Sequence, residues 1–195
     1  MHPIKPYAGP GGSIVHSQKK LGYIAIPKCA SSATHTYLTR LGGWFSISTT
    51  PQTTAAEPFR DYPDLQMFTV VRHPLTWIQS GYRMLKQLYN YHLDFDSHVD
   101  HLLARTNPIQ SEIFRWHCLV LPDEHIENYK VKIFRVEQLD NLPKWLSKRF
   151  PETKGQTIPV ENATKKETIL KIEPHTMEKI REFAGAYAKK FGYQL

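Results

Sequence analysis

At 195 residues the chain can bury one substantial core and is too short for two domains of ordinary size, so a single domain over residues 1–195 is expected. A hydrophobic content of 41 % with 12 % aromatic residues excludes a disordered chain, and a formal net charge of +7 suits an anionic ligand without identifying one. The two cysteines, Cys29 and Cys118, lie far apart and exclude a disulfide framework, and the ten histidines form no HExxH-like cluster, so no metal is expected. No apolar stretch approaches membrane-spanning length and Met1 to Tyr7 lacks the apolar core of a secretory signal, so the chain reads as soluble and cytoplasmic, with no membrane span.

Residues 1–18 are rich in Pro and Gly and read as an irregular N-terminal arm. Tyr23 to Ile26 reads as the first central strand, and it breaks at Pro27 into Lys28, Cys29, Ala30, Ser31, Ser32 and Ala33 before a helical pattern carrying Tyr37, Leu38 and Leu41. Small residues let a backbone close around an anion, and the helix that follows presents unpaired N–H groups and the positive end of its dipole. Lys28 adds a mobile charge, and Ser31 and Ser32 add hydroxyl donors. The turn is not a Walker A loop, because neither glycine of that motif is present. Cys29 reads as a small packed residue, with a low-pKa thiol as the alternative. The helix closes at Gly42 and Gly43, and Thr49 to Pro63 reads as a loop.

Met67 to Val71 repeats the first architecture: a β-branched strand ends in Arg72, and Pro74 opens a helix whose Leu75, Ile78, Tyr82, Leu85 and Tyr89 share one face. Ser80 lies off that stripe, and a strand-end arginine with a helical serine can converge on a second phosphate. Ser97 to Asp100 reads as a capping box opening a short helix, with His98 and His101 on its solvated surface, and a further amphipathic segment carries Ile109, Ile113 and Trp116. Val131 to Val136 reads as a strand, Leu139 to Leu146 as a helix, Lys154 to Lys166 as a polar loop, and Met177 to Phe191 as the last helix, closed by Gly192. Alternating strands and helices predict an α/β fold, a P-loop-NTPase-like three-layer sandwich with a central parallel sheet flanked by helices and its ligand at the carboxyl ends of the strands.

Ile26 to Ser32 resembles the 5′-phosphosulfate loop of the sulfotransferases that use 3′-phosphoadenosine 5′-phosphosulfate (PAPS), and Val71-Arg72-His73-Pro74 with Ser80 and Tyr82 resembles their 3′-phosphate motif. Phe68 to Pro74 is most similar to the carbohydrate, Golgi-type branch. Ile133 to Leu139, with Glu137, is similar to the family's third strand and the acidic residue after it, and Phe191-Gly192-Tyr193 to a family ending. The placement of Cys29 directly after the lysine departs from the family's usual loop. A short chain without an anchor resembles a small soluble member of bacterial or phage type.

The resemblance implies transfer of a sulfuryl group from PAPS, leaving adenosine 3′,5′-bisphosphate (PAP), to a hydroxyl or amine of a carbohydrate-like or other small acceptor, without metal. It assigns Lys28 to the oxygen bridging phosphorus and sulfur, Cys29 to Ala33 to the 5′-phosphate, and Arg72 and Ser80 to the 3′-phosphate. Lys165 and Lys166 lie in a segment resembling the late loop that closes over the nucleotide, with a solvated basic loop as the alternative. Glu57 leads as general base, followed by His35, while His73 orients the turn. Trp44, Phe45, Phe59 and Tyr62 are candidates for stacking on adenine or sugar, or core residues. Two rivals stay open: a P-loop-like nucleotide or sugar kinase, which the missing glycines disfavour, and a non-catalytic binder of phosphonucleotides or nucleic acid, for which no motif speaks. No nucleic-acid partner is expected, and oligomeric state is not legible.

Overall fold

The structure, a computed structural model, describes residues 13–46, 64–89, 91–104, 131–159, 170 and 172–195. Its strands are β1 (Ile14–His16), β2 (Leu21–Ile24), β3 (Phe45–Ser46), β4 (Gln66–Val71) and β5 (Lys132–Arg135). Its helices are α1 (Ser31–Arg40), α2 (Pro74–Tyr89), α3 (Phe95–Ala104), α4 (Asn141–Leu146) and α5 (Pro174–Lys190). The five strands form one sheet in the order β3-β1-β2-β4-β5. The β2, β4 and β5 strands run parallel, as the strand and helix alternation predicts, and β1 and β3 add antiparallel to the β2 side.

The expected irregular arm therefore ends sooner than residue 18. Ile14, Val15 and His16 pair with Tyr23, Gly22 and Leu21, and the polar stretch between them is a hairpin turn in which Lys20 takes φ 51°. Three residues are too short for period-2 alternation to stand out, and all three are buried, so no polar face marked them as a strand. Gly43, at φ 72°, lets the chain pass His16: a Cβ there would lie 2.6 Å from Nε2 of that ring.

Side chains leave the central strands alternately toward two cores, because successive Cβ atoms point to opposite faces. On one face Leu21, Tyr23, Phe68, Val70 and Phe134 pack against Tyr37 and Leu38 of α1 and Leu142 and Leu146 of α4. On the other, Ile24, Met67 and Val71 pack against Trp77, Ile78 and Tyr82 of α2, Val99 and Leu102 of α3, and Ile180 and Tyr187 of α5. Each fully buried large side chain contributes roughly 1.5–3 kcal/mol, so these two layers carry the fold. Thr69, wholly buried in β4, donates its hydroxyl to the Ile24 carbonyl at 2.7 Å and pins the parallel pair at its carboxyl end.

Two readings around α3 are corrected. The helix starts at Phe95, two residues before the expected box, and its cap is Asp94, whose Oδ1 accepts the Ser97 N–H at 2.7 Å. Aspartate caps as well as serine does, and the Ser97 N–H bond holds its carboxyl below the usual range. His98 is not a surface group but is fully buried among Tyr82, Tyr91 and Phe95, its Nδ1 3.2 Å from the Tyr91 hydroxyl. The helix turns that face inward because Phe95 and Leu102, three residues before it and four after, belong to the core.

Burial, aided by the charge of His101, lowers the His98 pKa to about 3 from 6.5. Between those values the unfolded chain binds the extra proton, so His98 favours folding above pH 6.5 and withdraws that support as pH falls toward 3. We expect the urea midpoint to drop between pH 7 and pH 4, and the drop to be shallower in His98→Gln. Equal slopes for the two proteins would show that His98 does not titrate this way.

Candidate functional site

Both strand-to-helix junctions lie at the carboxyl end of the parallel pair, where β2 runs out into the turn before α1 and β4 into the turn before α2. In the first turn Lys28 and Ala30 take left-handed conformations, φ 64° and 56°. Neither is glycine, so each costs roughly 1–2 kcal/mol, which the surrounding contacts must offset. The double reversal turns Cys29 inward: it is 0 % exposed and packs in the core with Trp77 and Tyr187. The reading of Cys29 as a small packed residue fits this burial.

Helix α1 then opens with Ala30 as its cap residue and no side-chain cap bond. The serines do not cap the helix; they occupy its first two positions. The first intrahelical bond runs from the Thr34 N–H to the Ala30 carbonyl at 2.9 Å, so the N–H groups of Ser31, Ser32 and Ala33 precede the helical ladder. Three successive N–H groups at the positive end of a helix, two of them beside hydroxyls, make a cradle that can receive an anion.

Arg72 ties the second junction to the first. Its Nη1 donates to the Lys28 carbonyl at 3.2 Å and its Nε to the Thr76 hydroxyl at 3.1 Å, which in turn donates to the His73 carbonyl at 3.0 Å. A second tie comes from Trp77, whose indole N–H donates to the Pro27 carbonyl at 3.1 Å. The guanidinium is partly buried and no carboxylate is ion-paired with it among the described residues. Burial pulls its pKa down, and the Arg83 charge adds to that while Glu137 opposes it. Among the described residues its hydrogen bonds run from Nε and Nη1, and a partly desolvated guanidinium of this kind can receive an anion.

The acidic residue after β5 is engaged with the backbone instead. Glu137 Oε1 accepts the His73 N–H and Oε2 accepts the Tyr193 hydroxyl, each at 3.0 Å. His73 is fixed by its ring as well: Nε2 lies 2.8 Å from the Gln194 carbonyl, which makes Nε2 the protonated nitrogen. That geometry accords with an orienting part for His73.

The remaining candidates divide. His35 stands one helical turn beyond Ser31 on the same side of α1, half-buried, with Nδ1 shielded from solvent and unpartnered among the described residues. Burial lowers its pKa below the ordinary histidine value and so favours the neutral ring. Ser80 is only 6 % exposed, which leaves its hydroxyl a narrow opening at most. Trp44 is partly buried and packs edge-on against His16 and Phe68, while Phe45 is 43 % exposed at the far edge of the sheet from β5. Glu57, Phe59, Tyr62, Lys165 and Lys166 lie outside the described residues. Among the described residues no three or more His, Cys, Asp or Glu side chains gather as ligands for a metal, and no helix is long and apolar enough to cross a membrane.

Sequence reasoning did not find Thr76, Trp77 or Tyr187, all of which bond to one or other junction. Tyr187 reads only as part of the last helix and Trp77 lies off the expected stripe of the second, and their polar tips carried no separate signal.

No family model matches the chain, and no curated protein matches it. Among solved structures, a sulfotransferase from Alicyclobacillus acidocaldarius is similar, with a TM-score of 0.45 and 16 % identity over 83 % of this chain and 64 % of that one. The chain thus spans less than two thirds of that protein's length. A likeness of this depth carries no argument about chemistry, which rests on the junctions themselves.

The two ties between the junctions predict a specific loss. Trp77→Phe keeps the ring in the core and removes the bond to Pro27, so thermal unfolding should show a cost of about 1 kcal/mol. A variant as stable as the parent would mean that the bond contributes nothing.

Proposed function

We propose that the chain is a sulfotransferase that moves the sulfuryl group of PAPS to a hydroxyl or amine of a carbohydrate-like acceptor. The observation that carries this reading is the bond from Arg72 to the Lys28 carbonyl, because it joins two anion-seeking junctions across adjacent parallel strands. One nucleotide with phosphates at both ends of its ribose satisfies both, and PAPS is such a nucleotide. The sequence resemblance of the two junctions points the same way.

In this reading the N–H groups and hydroxyls of Ser31 and Ser32, with the Ala33 N–H, hold the 5′-phosphate. Arg72 holds the 3′-phosphate, and Ser80 meets it through the small part of its surface left open. Catalysis is then in-line displacement at sulfur: the acceptor oxygen forms a bond to sulfur as the sulfur-to-bridging-oxygen bond breaks. Lys28 stabilises the charge that grows on that bridging oxygen, and a base takes the acceptor proton. Of the two base candidates, His35 is supported by its neutral ring one turn above the cradle; Glu57 stays a candidate.

Calorimetry with PAP tests the donor. We expect micromolar binding that weakens at least tenfold in Lys28→Ala and in Arg72→Ala, and wild-type affinity in both variants would abandon the reading.

The base is tested by pH. If His35 serves, kcat/KM falls on the acid side as the ring protonates, at a pH below the ordinary histidine value of 6.5 because burial favours the neutral form. His35→Asn should lower turnover by roughly a hundredfold and leave PAP affinity intact. An unchanged acid limb in that variant would move the role to Glu57.

A further inference from the structure

The turn at Arg72 and His73 leaves the sheet, so its backbone groups need partners from elsewhere. They find them in two segments remote in sequence. The Tyr187 hydroxyl, on α5, donates to the Arg72 carbonyl at 3.0 Å. Glu137, just past β5, accepts the next N–H along, that of His73, and its other oxygen is held by the Tyr193 hydroxyl. The His73 ring closes the circuit on the Gln194 carbonyl. The polar links named here reach the turn from the residue after β5, from α5 and from the tail beyond it.

The tail that carries Tyr193 is itself held. Gly192 takes φ 67°, and a Cβ there would lie 2.4 Å from Nη2 of Arg135. Its passage lets the Arg135 guanidinium sit 5.0 Å over the Tyr193 ring, while that ring meets His73 edge-on at 5.3 Å. Burial and the neighbouring Glu137 charge both keep the Tyr193 phenol protonated, which leaves it a donor to that carboxylate.

We propose that Tyr187, Tyr193 and Glu137 are positioning residues that hold the Arg72–His73 turn so that the Arg72 guanidinium meets the 3′-phosphate of the donor. The inference rests on the proposed function and deepens it, because it makes recognition of that one phosphate depend on the end of α5 and the residue after β5. None of the three touches the reacting atoms. Their effect passes through the backbone of the turn, and it is confined to the end of the nucleotide that Arg72 binds.

That confinement supplies the test. Calorimetry compares PAP with adenosine 5′-monophosphate, which lacks the 3′-phosphate, for the full chain and for Tyr193→Phe, Tyr187→Phe and Glu137→Ala, with the melting temperature of each recorded. Loss of one ordering hydrogen bond should weaken PAP roughly three- to tenfold and leave the monophosphate unchanged. In an Arg72→Ala background, Tyr193→Phe should add nothing, since the group it positions is gone. Glu137→Gln keeps one carbonyl acceptor and should restore part of what Glu137→Ala loses.

Equal weakening of both nucleotides, or of neither, in the tyrosine variants would overturn the inference while leaving the donor assignment standing. A wild-type chain that binds PAP no better than the monophosphate would overturn the donor assignment and this inference with it. Should Glu137→Ala fail to fold, the two tyrosine variants, each missing a single oxygen, decide the matter.

Discussion

The site depends on one contact, the hydrogen bond from the Arg72 guanidinium to the Lys28 carbonyl across two adjacent parallel strands. A partly buried cation is costly unless something compensates it, and here no carboxylate within ion-pair distance does so among the described residues. The neighbouring carbonyl and the Thr76 hydroxyl accept from two of its donors, and Glu137 acts on its charge without pairing with it. The parallel register is what makes the contact possible. Thr69 and Ile24 lie opposite each other and are locked by a buried hydroxyl, which holds the carboxyl ends of the two strands in register.

Around that contact the backbone is shaped by core packing as much as by the ligand it would hold. Two left-handed residues on either side of Cys29 drive the thiol into the apolar layer under Trp77 and Tyr187, and Trp77 returns a hydrogen bond to Pro27. The turn is anchored from below, which leaves its upper side, the first N–H groups of α1, clear of intrahelical partners. A Walker A loop reaches a related shape with glycines, whereas this chain accepts strain at Lys28 and Ala30 and offsets it by burying the residue between them.

Electrostatics follow the same division. The Arg83 charge adds to that of Arg72, and Glu137, an acidic side chain that acts on Arg72, spends both oxygens on the His73 N–H and the Tyr193 hydroxyl. Glu137 softens the positive field without pairing with it. The arrangement is ordered by groups from the ends of β4, β5 and α5 together, elements spread over more than a hundred positions of the chain.

Much of this was legible in the residues. The apolar run at Tyr23 to Ile26, the β-branched run at Met67 to Val71, the break at Pro27, Pro74 at the head of α2 and Gly192 after α5 are local signals, because strand composition, helix starts and caps depend on neighbours a few positions away. Local signals failed where a segment was too short or where two caps competed, as at β1 and at Asp94. Tertiary structure alone decided that His98 is buried, that Ser80 is nearly closed off, and that Tyr187, Tyr193 and Glu137 meet at Arg72. The reason is physical: a side chain's burial and a hydroxyl's partner are set by which remote elements pack against it, and that choice is made by the whole core rather than by any window of sequence.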